Sequence, residues 1–218
     1  FVAEGINYES NIRINNVFLV KHKEGFTAIV APIEDELIQE NNLIEIIIEN
    51  ELTTNTTIPL SDQLNYSRIY GGINKDIYIV AVPKVSTLSN NVRYSLEGYN
   101  RVAIENIAEV RTASLDNYPE KSFTLRTELI DKSTGEIAAE SSPVSFTAEN
   151  YKSFPVKSNF TLGNPRLWSF DQPNVYIAKT IIYDSSGVID EKITEIGIRK
   201  VQVKGNTIFV NGKEYNLK

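Results

Sequence analysis

The sequence predicts an all-β protein made of two consecutive sheet-built parts. Three observations predict it. Isoleucine, valine and threonine supply 59 of the 218 residues, and side chains branched at Cβ fit a pleated surface better than a helix. Short runs of apolar residues recur from end to end, bounded by Asn, Asp, Gly, Ser and Pro. Apolar residues make up 41% of the chain, enough to fill a core and too many for wholesale disorder. The length corresponds to about 1.5 ordinary domains, so one large or two small ones.

The first elements are read from turn chemistry. Ile12 and Ile14, then Val17 and Leu19, flank Asn15-Asn16, a dipeptide that tolerates positive φ and suits a tight hairpin. Glu34 to Ile38 is the one helical candidate in this part, a turn or two whose acidic residues suit a helix N-terminus. Leu43 to Glu49 is a strong apolar strand. Asp76 to Val82 is another, stopped by Pro83. Between them Thr53 to Gly72 is a long polar loop, a type that is usually functional or mobile. The first part therefore spans residues 1–83.

Beyond it, Thr87 to Asn106 is polar and irregular, so residues 84–106 are expected to be a linker or long loop. Glu109 to Leu115 reads as a strand and Asn117-Tyr118-Pro119 as a turn. Ser122 to Ile130 puts Phe123, Leu125, Thr127 and Leu129 on one face. Asp131 to Gly135 closes a hairpin. Val144-Ser145-Phe146 and Phe160-Thr161-Leu162 are shorter strands. Val175 to Tyr183 and Val188 to Arg199 pair around Asp184-Ser185-Ser186-Gly187. About seven short strands at this spacing predict an immunoglobulin-like sandwich over residues 84–202. Residues 203–218 form a closing hairpin. Phe1-Val2-Ala3 opens in mid-strand style and the closing hairpin stops abruptly, so the chain reads as a piece of a longer protein.

Composition narrows the chemistry. Net charge is −6 with Lys and Arg scattered, which is no phosphate footprint, so no nucleic-acid partner is expected. No apolar run approaches the roughly 18–20 residues that cross a bilayer, so no membrane is expected either. There is no Cys, which removes disulfides, thiolate metal sites and cysteine nucleophiles, and fits cytoplasm or periplasm equally. With one His, a catalytic His and a His-based metal site cannot coexist; no cofactor or metal is expected. Carboxylate pairs for glycoside hydrolysis are everywhere by chance among 28 Asp and Glu. The densest cluster, Glu34-Asp35-Glu36, reads as a solvated helix start, and Asp190-Glu191 as solvated strand residues. His22 has no nucleophile pattern beside it. Gly71-Gly72 is not followed by a phosphate-loop Lys. Trp168, between Pro165 and Pro173, reads as a buried structural anchor rather than a sugar-stacking platform.

Three segments of the second part carry a resemblance. Asn164 to Tyr176 (NPRLWSFDQPNVY) resembles the "P-x-L-W-S-P-x-x-P-x-L-Y" segment of glycoside hydrolase family 2. That family includes β-galactosidases, β-glucuronidases and β-mannosidases. Glu195 to Lys200 is similar to its "F-G-I-R" strand. Phe209 to Lys213, followed by Leu217-Lys218, is similar to its "F-x-L-N-G-K-x-x-x-L-K-G" hairpin. In the first part Glu4 to Tyr8, Ile14 to Asn16, His22 to Thr27 and Gly71 to Tyr78 resemble "E-G-V-x-Y", "V-x-L-N-G", "H-x-G-G-F-T" and "G-G-I-Y-R-D-V-Y". Asn16 and Glu24 replace glycines, Lys75 replaces Arg, and Ile196 replaces the Phe before the glycine. Thr87 to Pro143 matches only as a strand pattern.

The resemblance implies that residues 1–83 are the C-terminal part of the family's sugar-binding jelly roll, followed by its immunoglobulin-like domain. It implies a catalytic barrel past Lys218 that holds both catalytic glutamates, so no catalytic residue is expected in this chain. The expected partners are that barrel and, through it, a β-linked galactoside or glucuronide. The terminal hairpin, with Ile198, Ile208, Phe209, Val210 and Tyr215, is expected to expose the surface that packs on that barrel, and jelly-roll strands missing before Phe1 are expected to leave an unpaired sheet edge through which the chain self-associates. A jelly-roll loop reaches the active-site mouth in the family; its counterpart here offers Asp62, Asn65, Tyr66, Arg68 and Tyr70 as sugar contacts. The motif residues expected to be structural are Trp168, Gly197, Arg199, Asn211 and Gly212. The rival reading is a stand-alone carbohydrate-binding or adhesion module of two β-sandwiches.

Overall fold

The computed structural model describes residues 1–23, 27–50, 71–118 and 121–215. The chain divides into two compact units, 1–81 and 82–218.

The first unit is built from short strands: β1 (Val2–Ala3), β2 (Ile6–Asn7), β3 (Glu9–Ile14), β4 (Val17–Lys23), β5 (Ile29–Val30), β6 (Ile44–Glu49), β7 (Gly72–Ile73) and β8 (Ile77–Tyr78). They pair antiparallel as β4-β3-β6, β5-β1-β8 and β2-β7. Asn15 and Asn16 both take positive φ, 49° and 67°, the backbone a two-residue hairpin turn requires. Asn15 is also a hub: its Oδ1 accepts from Leu43 N at 2.9 Å and its Nδ2 donates to Leu37 O at 2.8 Å. The hydrophobic core gathers Phe1, Ala3, Ile6, Ile12, Ile29 and Ala31 from different sheets, packed against Leu19, Ile44, Ile46 and Ile77. The helical candidate shrinks to one 3-10 turn, Asp35–Leu37, with no buried residue and no side-chain cap. Without an apolar stripe to bury, tertiary packing gives a longer helix nothing.

The second unit begins where a linker was expected. Residues 85–112 are instead two long paired strands, β9 (Val85–Glu97) and β10 (Arg101–Thr112). The span looks irregular because its outward half is polar: Asn91, Arg93 and Ser95 face out while Val92, Tyr94 and Leu96 pack against the core. A register shift opposite Glu109 and Val110 leaves Leu88 unpaired as a bulge, which breaks the alternation further. β10 ends at Thr112, short of the expected Leu115, which is fully buried beyond the strand.

The remaining sandwich strands are β11 (Ser122–Asp131), β12 (Ile137–Glu140), β13 (Val144–Thr147), β14 (Ser153–Gly163), β15 (Tyr176–Asp184) and β16 (Gly187–Ile196). One sheet runs β14-β10-β9. The other runs β12-β11-β15-β16, with β13 also on β11. This is the two-sheet, crossed-over order of an immunoglobulin-like sandwich. Two apolar clusters fill it. One holds Val85, Ala108, Val110, Leu115, Phe123, Leu125, Val156 and Ile182. The other holds Val102, Ile104, Leu129, Leu162, Tyr176, Ala178 and Ile198.

In place of a closing hairpin the chain makes a three-stranded meander of β17 (Val201–Lys204), β18 (Thr207–Val210) and β19 (Lys213–Tyr215). The exposed apolar surface expected here is shifted by one strand. Ile198 and Val210 are buried, and Ile208, Phe209 and Tyr215 are half-buried. Val201 and Val203 on the edge strand are the exposed pair, at 56% and 70%.

Candidate functional site

The segment between β14 and β15 has no regular structure, yet several of its polar groups are bonded to the sandwich and to one another. Arg166 spreads over Asp131, Ser133 and Asn174: its guanidinium donates to Asp131 Oδ2 and Asn174 Oδ1, each at 3.0 Å, and to Ser133 Oγ. Its backbone N–H donates to Tyr176 Oη at 2.8 Å. Asn174 Nδ2 donates back to Leu167 O at 2.9 Å, and Ser169 N to Gln172 O at 2.8 Å. Asp131 also accepts from the hydroxyl and backbone of Ser133, which with Arg166 holds its carboxyl below the usual carboxylate range. A loop bonded in this way has few conformations left to sample.

Trp168 stands at its centre. It is half-buried, less than the deep burial expected, because one edge of the indole meets exposed Phe170 instead of the sandwich core. Its backbone N–H donates to Ile198 O at 2.8 Å. The indole lies on Gly197 so closely that a Cβ there would sit 2.9 Å from Trp168 Cδ1. The Arg199 guanidinium stacks 4.7 Å from the ring. Phe170 meets Trp168 edge-on at 5.1 Å and Tyr215 at 4.9 Å.

The meander is tied in through one turn. Asn211 and Gly212 take φ of 52° and 81°, so the Asn-Gly pair forms the tight hairpin between β18 and β19. Asn211 Nδ2 donates to Trp168 O at 2.9 Å, while its Oδ1 accepts from Lys200 N at 2.8 Å. The structure thus brings Trp168, Gly197, Arg199, Asn211 and Gly212, from three separate segments, into one junction. Sequence reasoning missed Tyr94, whose hydroxyl lies 3.1 Å from Gly197 O and accepts from Arg199 N at 3.1 Å. It also missed Asn174. Tyr94 was concealed by the linker reading of its strand; Asn174 carried no signal beyond its place in the motif.

An open cavity of about 730 Å³ lies beside the junction, lined by Arg166, Asp171, Gln172, Asn174, Lys213 and Tyr215 among others. Asp171 is the only carboxylate among the described residues of that lining. Lys213 Nζ reaches it at 2.6 Å and holds its carboxyl below the usual range, while the lysine is raised in turn. A carboxylate kept ionised by an ammonium is a poor proton donor at neutral pH. Glycoside hydrolysis needs two carboxyls about 5–9.5 Å apart, one of them raised. Among its described residues the cavity offers hydrogen-bonding groups, the Tyr215 ring and a single carboxylate.

The other candidates fare as follows. Asp62, Asn65, Tyr66, Arg68 and Tyr70 lie outside the described residues. Glu34 to Glu36 sit on the surface turn. His22 Nε2 faces Thr27 Oγ1 at 3.0 Å on exposed surface. Asp190, expected to be solvated, instead accepts from Thr87 N at 2.6 Å and pins β16 to the start of β9. Among the described residues no group of three or more His, Asp or Glu could hold a metal ion, and no helix is long and apolar enough to cross a membrane.

Comparison with known proteins places these features. A family model described as "Glycosyl hydrolases family 2" matches residues 91–199, half of the chain, and takes in Trp168, Gly197 and Arg199. A β-glucuronidase of Formosa agariphila is 23% identical over 98% of this chain and 23% of its own length. A β-galactosidase of Streptococcus thermophilus is 22% identical over 99% of this chain and 19% of its own length. Among solved structures, Bacteroides uniformis β-glucuronidase superposes on 99% of this chain and 26% of its own, with a TM-score of 0.84 and 17% identity. The chain therefore spans about a quarter of the length of the curated relatives it matches end to end.

Proposed function

The chain belongs to glycosyl hydrolases family 2, and from that membership we propose that it is the non-catalytic, sheet-built portion of a β-glycosidase. On this reading its two units hold and orient a catalytic portion that supplies both carboxylates. The observation that carries the reading is one of proportion. The chain is matched almost completely by glycosidases of which it covers about a quarter, so most of each relative lies outside the matched part. The junction supports the same reading: Arg199 and Asn211 spend their polar side-chain groups on backbone and ring contacts within this chain. That is what a scaffold needs, and it leaves little to bind a reacting sugar. The substrate class is a β-linked galactoside or glucuronide, the two activities named among the relatives.

The test is hydrolysis of nitrophenyl β-glucuronide and β-galactoside by the purified chain and by the full-length gene product side by side. The full-length protein is expected to turn over one of them and the 218-residue chain neither. Turnover by the chain that survives repurification and is abolished by one carboxylate substitution within it would overturn the proposal.

A further inference from the structure

The middle of the second unit's sandwich is not apolar. Inward residues on neighbouring strands line up in layers across both sheets. One layer pairs Asn106 with Ser158 in one sheet and Thr127 with Thr180 in the other. All four are almost wholly buried, at 0–1% exposure. Ser141, also buried, closes the layer by accepting from Thr127 N at 3.0 Å. The two apolar clusters lie on either side.

Asn106 joins the sheets. Its Nδ2 donates to Thr127 Oγ1 at 3.0 Å and to Thr180 Oγ1 at 2.8 Å, and the Thr127 and Ser158 hydroxyls share a bond of 2.8 Å. Its Oδ1, equally buried, has no partner. As placed, the amide donates to two hydroxyls while Oδ1 meets no donor among the described residues.

Buried polar atoms left in this position are commonly met by an internal water. The next inward residues are Ala108 on β10 and Ala178 on β15, both fully buried and among the smallest side chains of the core. The layer carries no formal charge, so an ion would go uncompensated there and a neutral molecule would not. We infer that the sandwich encloses one ordered water, bonded to the free end of the Asn106 amide. The Thr180 hydroxyl, which accepts from Nδ2 and keeps its own proton to give, is available as a second partner. The water completes an inter-sheet hydrogen-bond layer that holds the two sheets in a single alignment.

Two measurements on the 218-residue chain test this. A crystal structure resolving internal waters should show density about 2.7–3.2 Å from the free end of the amide, with at least one further polar partner. Oxygen-17 magnetic relaxation dispersion, which counts waters that exchange more slowly than the protein tumbles, should lose one such water in Asn106→Leu, a substitution of similar shape. An amide with both ends on protein groups, an empty density map at its free end, or an unchanged dispersion amplitude in Asn106→Leu would overturn the inference. If the variant fails to fold, the wild-type crystal decides alone.

Discussion

Replacing Gly197 by Ala should destabilise the chain, although Gly→Ala in a strand-like segment ordinarily helps. Gly197 does not have the positive φ that would strain another residue, so the usual gain from a stiffer unfolded chain is about 0.4–1 kcal/mol. Against it stands a Cβ that would lie 2.9, 3.0 and 3.1 Å from Trp168 Cδ1, Cγ and Cβ. The indole cannot swing clear cheaply. Arg199 covers one face, Phe170 meets its edge, and its backbone is bonded to Ile198 and Asn211. Overpacking of this kind costs about 1–3 kcal/mol, so the net loss should be about 1–2 kcal/mol. Trp168→Ala alone should cost about 2–3 kcal/mol, roughly half the value of a fully buried ring. The two changes should not add. Without the indole, Gly197→Ala should be neutral or slightly stabilising, a coupling of about 1–3 kcal/mol. Urea unfolding followed by far-ultraviolet circular dichroism measures all four proteins and does not depend on the single tryptophan. A Gly197→Ala cost that is the same with and without Trp168 would show that the indole is not what the added methyl meets.

Three further outcomes follow from the same contacts. Asn211→Asp keeps an acceptor for Lys200 N but loses the donor to Trp168 O and sets a carboxylate against that carbonyl; chemical unfolding should show a loss of about 1–3 kcal/mol, with Asn211→Gly, which keeps the turn backbone, costing no more than Asn211→Ala. Tyr94→Phe removes the hydroxyl shared by Gly197 O and Arg199 N and should cost about 0.5–1.5 kcal/mol in the same assay. Acid should weaken the second unit through carboxylates held below their usual range, Asp131 by Ser133 and Arg166 and Asp184 by Ser186 and Tyr118. Depressed folded values stabilise fully above the unfolded value of about 3.9 and lose that contribution as pH falls through the lower folded one. The melting temperature should therefore drop below about pH 4, and Asp131→Asn should lower it at pH 6 while making the acid drop shallower; an equal drop in both proteins would count against this assignment.

What was legible in the sequence follows physical lines. Asn15-Asn16 and Asn211-Gly212 could be read because positive φ admits few residue types. The strands at Ser122–Asp131 and Tyr176–Asp184 could be read because their inward residues are mostly apolar, whereas Ile137–Glu140 and the first part of Ser153–Gly163, short or largely polar, could not. Residues 85–106 could not, since a strand with a solvent-facing polar half and a bulge at Leu88 breaks the pattern that marks strands. Thr127 was placed correctly on the inward face with Phe123 and Leu125, yet nothing local could show that it meets Asn106, Ser158 and Thr180 in a polar layer. The depth of Trp168 was misjudged for a related reason. Burial depends on what lies opposite, and opposite it stand Gly197 and Arg199 from a distant segment and an exposed Phe170 from its own.

On the proposed reading these 218 residues frame a glycosidase whose chemistry lies elsewhere in the protein. A 2-fluoro glycoside, which traps the covalent intermediate of a retaining glycosidase on its nucleophile, tests it most directly. The chain and the full-length gene product would each be incubated with the glucuronide and galactoside versions and weighed by intact-mass spectrometry, with the labelled peptide sequenced. A single added glycosyl mass is expected on the full-length protein, on a carboxylate outside residues 1–218, and none on the chain. A label on any Asp or Glu within the chain would contradict it.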